Sequence, residues 1–270
     1  MTTDPSKLVS ILDEEQHFFT VFKSAGIQTQ AAEGIPSLQN ILRASIKERD
    51  GHEGAPFVGL PHRLDRATSG VVLIARNQRA LKRFNLQFQT RKIGKFYLAV
   101  LESSDNHPTA ETIAAAATGQ SEYWQDFIRK VPDEARAEIC ERSAGREASL
   151  RIRIVQRHNA LQLALIQLET GRMHQIRVQA AHRGYPIHGD LLYGGSESRM
   201  QLVLPAPLEL REPPLALHAL RIEYHHPTDG KRLASTAPVP AYWSEALPAE
   251  IVTKAEELTA QSKIDNQNSW

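Results

Sequence analysis

Two apolar-rich runs, ASLRIRIVQRH (148–158) and ALQLALIQLET (160–170), lie on either side of a turn at His158–Asn159. The first alternates apolar and polar residues, a period of two that a pleated strand buries on one face. So short a connection makes the two runs antiparallel neighbours, and the sheet that contains them cannot be wholly parallel. Other strand patterns are HFFTVFKSAGIQTQ (17–30), which ends in a turn at Gly26, GVVLIAR (70–76), GKFYLAVLE (94–102) and LALHALRIEYHHP (215–227).

Helical spacing interrupts these strands irregularly. PSLQNILRASI places Leu38, Ile41, Leu42 and Ile46 on one face, and Asn77 can cap a helix carrying Leu81, Phe84 and Phe88. GRMHQIRVQAAHRG reads as a helix with Met173, Ile176 and Ala180 on one side and Gly184 as its stop. The expectation is an α+β fold with a mixed, largely antiparallel sheet and flanking helices. At 270 residues the chain is long enough for one large domain. Its expected limits are 18–247, with an N-terminal extension (1–17), a polar tail (248–270) that is either frayed or a surface helix, and an irregular, variable excursion rich in small and acidic residues (103–147).

Several kinds of chemistry find no support. One cysteine, Cys140, excludes an internal disulfide and implies a reducing compartment. The densest apolar run, VVLIA, is too short to span a bilayer, and the N-terminus lacks a signal pattern, so a cytoplasmic protein is expected. His174, His182, His188, His218, His225 and His226 crowd the second half without an HExxH or an acid at ligand spacing, which argues against metal. Neither GxxxxGK[ST] nor GxGxxG occurs, GDLLYGG (189–195) reads as a loop, and Ser69 lacks a GxSxG context.

The net charge is only +1, but residues 61–100 carry nine basic residues against one acid. That excess suits either a solvated helix face or a phosphate-facing surface. The single acid is Asp65, set between Arg63 and Arg66 in LPHRLDRATSGVVLIAR, just before a strand. Taken alone, it could be a surface ion pair of little consequence.

HRLDRATSG (62–70) resembles the signature of the RluA-type RNA pseudouridine synthases. Four further blocks are similar to that family, in its order: FTVFKSAGI (19–27), GKFYLAV (94–100), TGRMHQIRVQAAHRGYPIHGDLLYG (170–194) and LALHALRIEYHHP (215–227). The resemblance covers roughly residues 18–243. It implies a pseudouridine synthase fold with a central RNA-binding cleft and an enzyme that isomerises uridines of structured RNA, ribosomal or transfer. It needs no cofactor or metal, and neither DNA nor a membrane is an expected partner; the expected form is a monomer. It also implies Asp65 as the essential carboxylate, Arg177 as the cation beside it, and Tyr97 as the residue that stacks on the flipped base and helps remove the C5 proton. Arg63, Arg66 and His174 are expected at the substrate, with Leu64, Leu217 and Ile222 as apolar walls. Ser24, Met173 and Gln179 depart from the usual proline, threonine and histidine; the last two are expected to alter RNA contacts. The family's frequent N-terminal S4 module is not recognisable in the residues before Phe18, so the catalytic domain is expected to find RNA largely by itself.

Overall fold

The structure is a computed structural model and describes residues 8–32, 35–51, 54–103, 120–202, 204 and 211–264. Parts of the expected extension (1–7), excursion (104–119) and tail (265–270) lie outside the described residues.

The alternating runs build one sheet of ten described strands. In chain order these are β1 (Val9–Glu14), β2 (Phe18–Lys23), β3 (Ser69–Ala75), β4 (Gly94–Glu102), β5 (Ser121–Lys130), β6 (Ala137–Ile139), β7 (Arg146–His158), β8 (Leu161–Leu168), β9 (Leu217–His225) and β10 (Arg232–Thr236). Across the sheet the order is β1-β2-β3-β9-β4-β8-β7-β5-β6, with β10 on β9. Every pairing is antiparallel except β3 with β9, where only Ser69 and Gly70 pair, with His218 and Ala219. Gly70 is required there: its φ is +127°, and a β-carbon would collide with the Ala219 backbone. The α+β, largely antiparallel expectation therefore holds. The expected hairpin is β7 and β8, turning at Asn159 in the left-handed region (φ 50°).

β3 is buried on both faces, which explains its unbroken apolar run. Val72 and Ile74 join the main core with Leu98, Val100, Leu163 and Leu165, whereas Val71 and Leu73 face a second core with Phe18, Phe84, Ile222 and Tyr224. Two helices match their sequence patterns. α1 (Leu38–Asp50) is capped by Ser37 and buries Leu38, Leu42 and Ile46. α2 (Gln78–Gln89) is capped by Asn77, whose Oδ1 accepts from the Ala80 amide at 2.8 Å.

Three boundaries differ from expectation. Residues 9–14 are not an appendage but strand β1 on the edge beside β2. The described part of the excursion extends the sheet through β5 and β6; only Trp124 and Ile128 of β5 are fully buried, a pattern too sparse to stand out among charged neighbours. Beyond α4 (Tyr242–Ala246), the polar tail takes its helical alternative as α5 (Ala249–Ile264), but it is more than a surface helix: it buries Ile251, Val252, Ala255 and Leu258 in the main core. From α4, Tyr242 donates to Ser69 Oγ at 3.1 Å, and Ser69 Oγ lies 2.9 Å from His218 Nδ1. These buried groups clamp the first residue of β3, and burial lowers the His218 pKa to about 4, keeping the ring neutral.

Candidate active site

The turn before β3 is fixed on both sides of Asp65. Thr29 Oγ1 donates to the Leu64 carbonyl at 2.8 Å and accepts from the Leu64 amide at 3.0 Å. The Arg66 carbonyl accepts from the Gly26 amide at 2.8 Å and from Lys23 Nζ at 3.3 Å, and the Ala67 carbonyl accepts from Leu215. Lys23 is fully buried, and its ammonium also donates to the Ser24 and Ile27 carbonyls. Burial lowers its pKa to about 7, with Asp65 and Glu212 opposing the fall. The Lys-Ser-Ala-Gly turn after β2 thus pins the aspartate's loop. Such fixing holds the loop that carries Asp65 in one conformation before any ligand arrives.

Asp65 opens into a cleft of about 730 Å³, within the usual range for small-molecule sites. Its side chain is 35% exposed, and its Oδ2 lies 3.9 Å from His174 Nε2. Leu64, Arg63, Arg66, Tyr97, His174, Arg177 and Leu217 line the same cleft, so eight of the nine expected residues, Asp65 included, converge. Burial, reinforced by the Asp65 charge, raises the Tyr97 pKa, so its phenol stays protonated at neutral pH. His62 accepts from the Leu73 amide at 2.9 Å and stacks on Phe88. Burial and Lys95 lower its pKa to about 3, so it braces the loop as a neutral ring.

Four expectations need correction. Ile222 does not reach the cleft: it lies five residues from Leu217 on a strand of period two and joins the second core. Arg177 lines the cleft, but its direct partner is Asp190, which accepts from Nε and Nη2, both at 2.7 Å. Burial opposes the guanidinium charge; Asp190, and at longer range Asp65 and Glu212, nevertheless raise its pKa. Gln179 is buried and donates to Asp126 Oδ2 at 2.6 Å, away from the cleft lining. Met173 does line the cleft but precedes the helix, because α3 spans only Gln175–His182.

The sequence reading missed Lys95, Arg172, Asp190 and Tyr193. Lys95 stands two residues before Tyr97 on β4, on the cleft side, and donates to the Thr170 carbonyl at 3.0 Å. Period two could have found it. Arg172 also lines the cleft, its Nε donating to the Glu147 carbonyl at 2.8 Å. Asp190 and Tyr193 come from GDLLYGG, whose short 3₁₀ turn (Leu191–Tyr193) carries no periodic signal. The basic block does not form one face: Arg63, Arg66 and Lys95 line the cleft, Arg76 pairs with Glu14, and Arg79, Lys82 and Arg83 are exposed on α2. Among the described residues, no three His, Cys, Asp or Glu side chains gather as metal ligands.

Residues 17–182 match the RNA pseudouridylate synthase family. The chain is 32% identical over 243 residues to ribosomal large subunit pseudouridine synthase D of Xylella fastidiosa, covering 89% of this chain and 69% of that protein. It is 30% identical over 235 residues to the same-named protein of Pseudomonas aeruginosa, covering 86% and 68%. The structure of human RNA pseudouridylate synthase domain containing 1 superposes with a TM-score of 0.66 at 20% identity, covering 97% of this chain and 98% of that one, and so shares the fold. A family match from β2 through α3, together with synthase D relatives aligned over most of the chain, establishes that this protein belongs to the RluA-type RNA pseudouridine synthases, isomerases that convert uridine to pseudouridine.

Proposed function

We propose that the protein modifies uridines of ribosomal RNA in the cytoplasm, with Asp65 as the catalytic carboxylate. The observation that carries the chemical reading is the pinned Asp65 at the mouth of a cleft shared with Tyr97 and Arg177. The RNA class is drawn from the large-subunit synthases among the relatives. The reaction breaks C1′–N1, turns the uracil and joins C5 to C1′; the C5 proton leaves and N1 gains one. An ionised Asp65 starts it, either by attacking C1′ or by taking the C2′ proton to give a glycal. The target nucleotide must leave its stack to reach the carboxylate. Tyr97 offers a ring face to the detached base, and its protonated hydroxyl is a donor. Leu64 and Leu217 supply apolar wall, while Arg63 and Arg66 meet the backbone.

Tritium release from 5-tritiated uridine tests this reading. Large-subunit ribosomal RNA lacking modifications is expected to release tritium at one or a few mapped positions, whereas a transfer RNA pool is not. Release confined to transfer RNA would overturn the substrate class.

A cation group at one end of the cleft supports backbone binding. Arg172 and Lys95 line the cleft, and Arg91 and Arg146 are close enough to depress the Arg172 pKa after burial. Burial, then Arg172 and Arg91, brings Lys95 to about 8. Mutually repelling cations at a cleft rim favour an incoming phosphate. Arg172→Ala is expected to weaken RNA binding and lower the salt slope of log K by about 1. Affinity of the wild type should also fall as pH rises through about 8, where Lys95 loses its proton; Lys95→Met should remove that step. Fluorescence anisotropy across salt and pH reads both effects.

A further inference from the structure

The Tyr193 hydroxyl lies between two nitrogens. The Ala137 amide, on β6, donates to Tyr193 Oη at 2.7 Å, and the same oxygen is 3.0 Å from His174 Nδ1. A backbone amide can only donate, and a phenol has a single proton to give. Giving that proton to Nδ1 satisfies both contacts and leaves the neutral ring with its own proton on Nε2. The opposite arrangement sends two donors into one oxygen and leaves the phenolic proton without an acceptor among the described residues. Nε2 is the atom that faces Asp65 Oδ2, at 3.9 Å.

The backbone agrees with this use of the ring. His174 holds left-handed dihedrals (φ 51°, ψ 25°) at the N-cap of α3, yet its side chain makes no capping hydrogen bond. An uncommon conformation for a residue other than glycine here turns the imidazole toward the cleft instead of the helix amides. The groups facing the ring are Asp65, Arg177, Asp190 and Tyr193. Burial and the Arg177 charge lower its pKa against the pull of the two acids, so the ring is neutral at physiological pH.

We propose that Tyr193 and the β6 amide fix His174 as the Nε2–H tautomer, which makes His174 a positioning residue for Asp65 rather than a ligand of the substrate. The inference rests on Asp65 being the catalytic carboxylate. At 3.9 Å the contact is too long for a hydrogen bond. It closes by about 1 Å when the flipped nucleotide fills the cleft, as catalytic hydrogen bonds that are long in the free enzyme commonly do. Through Ala137 the outermost strands of the sheet reach the reacting carboxylate.

The test is ¹⁵N NMR of the full chain with ring-labelled histidine, the His174 signals being assigned by their loss in His174→Gln. The expected spectrum has an unprotonated Nδ1 and a protonated Nε2, and Tyr193→Phe should mix the two tautomers. A protonated Nδ1 in the neutral wild type overturns the proposal whatever the activity, whereas absence of tritium release by the wild type would instead count against Asp65 chemistry. A kinetic arm separates positioning from substrate binding. His174→Gln, whose amide nitrogen can stand near Nε2, should keep kcat within about fivefold of wild type; His174→Asn, which cannot reach, should lose about 10–100-fold in kcat with KM nearly unchanged. Equal losses in the two variants, or losses confined to KM, overturn it. If either variant fails to fold, the wild-type spectrum still decides.

Discussion

Asp65→Asn is expected to abolish pseudouridine formation, by at least about 10⁴-fold in kcat, while RNA affinity stays within about threefold of wild type. An amide has the shape of the carboxylate but can neither attack C1′ nor accept a proton from C2′. The fold should tolerate the change, because the turn is held through the backbones of Leu64, Arg66 and Ala67 and not through the aspartate side chain. Stability is therefore expected to change by less than about 1 kcal/mol. Tritium release from labelled RNA and a filter-binding isotherm on the same preparation provide the two readings. A variant that binds RNA and retains more than a few per cent of wild-type turnover would remove Asp65 from the chemistry.

Arg177→Met should have the largest effect on stability, about 3–5 kcal/mol, because it leaves the Asp190 carboxylate buried and unpaired. The pair is inaccessible, with side-chain exposures of 2% and 0%, and is joined by two hydrogen bonds. Arg177→Met combined with Asp190→Leu removes both charges and should recover most of the lost stability, since apolar replacements of a buried ion pair are often neutral. Activity should separate from stability in that double variant. The Arg177 charge also acts on Asp65, so the double variant is expected to fold and yet turn over at least about 100-fold more slowly. Chemical denaturation and tritium release distinguish the effects; a stable and fully active double variant would make Arg177 structural only.

The parts of the fold legible in the sequence were those with a strong period or a cap. The β7–β8 hairpin, α1 behind Ser37 and α2 behind Asn77 fall where alternation or helical spacing put them. β5 was not legible, because Trp124 and Ile128 are buried four residues apart with Gln125 and Asp126 between them. Among the described side chains, α5 carries its buried face through four apolar residues set among lysines and glutamates. At the site, Asp65 and Tyr97 could be located from motif blocks, and Lys95 lay within reach of simple strand parity. Asp190 was different: its pairing with Arg177 spans a helix and a loop, and no local pattern encodes a contact made by chain reversal. Ile222 failed for the converse reason, since an apolar residue on the right strand still needs the right parity to face the cleft.

The buried pairing of Arg177 with Asp190 has a consequence for how a polyanion enters. Arg177 lines the cleft with its charge already paired to Asp190, and Arg63, Arg66, Lys95 and Arg172 line the same cleft. The pull on a phosphodiester therefore comes more from those four cations than from Arg177. A phosphodiester is drawn to them by its charge, whereas a neutral uracil is not. The backbone of an incoming RNA is then expected to gather where Arg63, Arg66, Lys95 and Arg172 stand, leaving the base to reach Asp65 and the paired arginine.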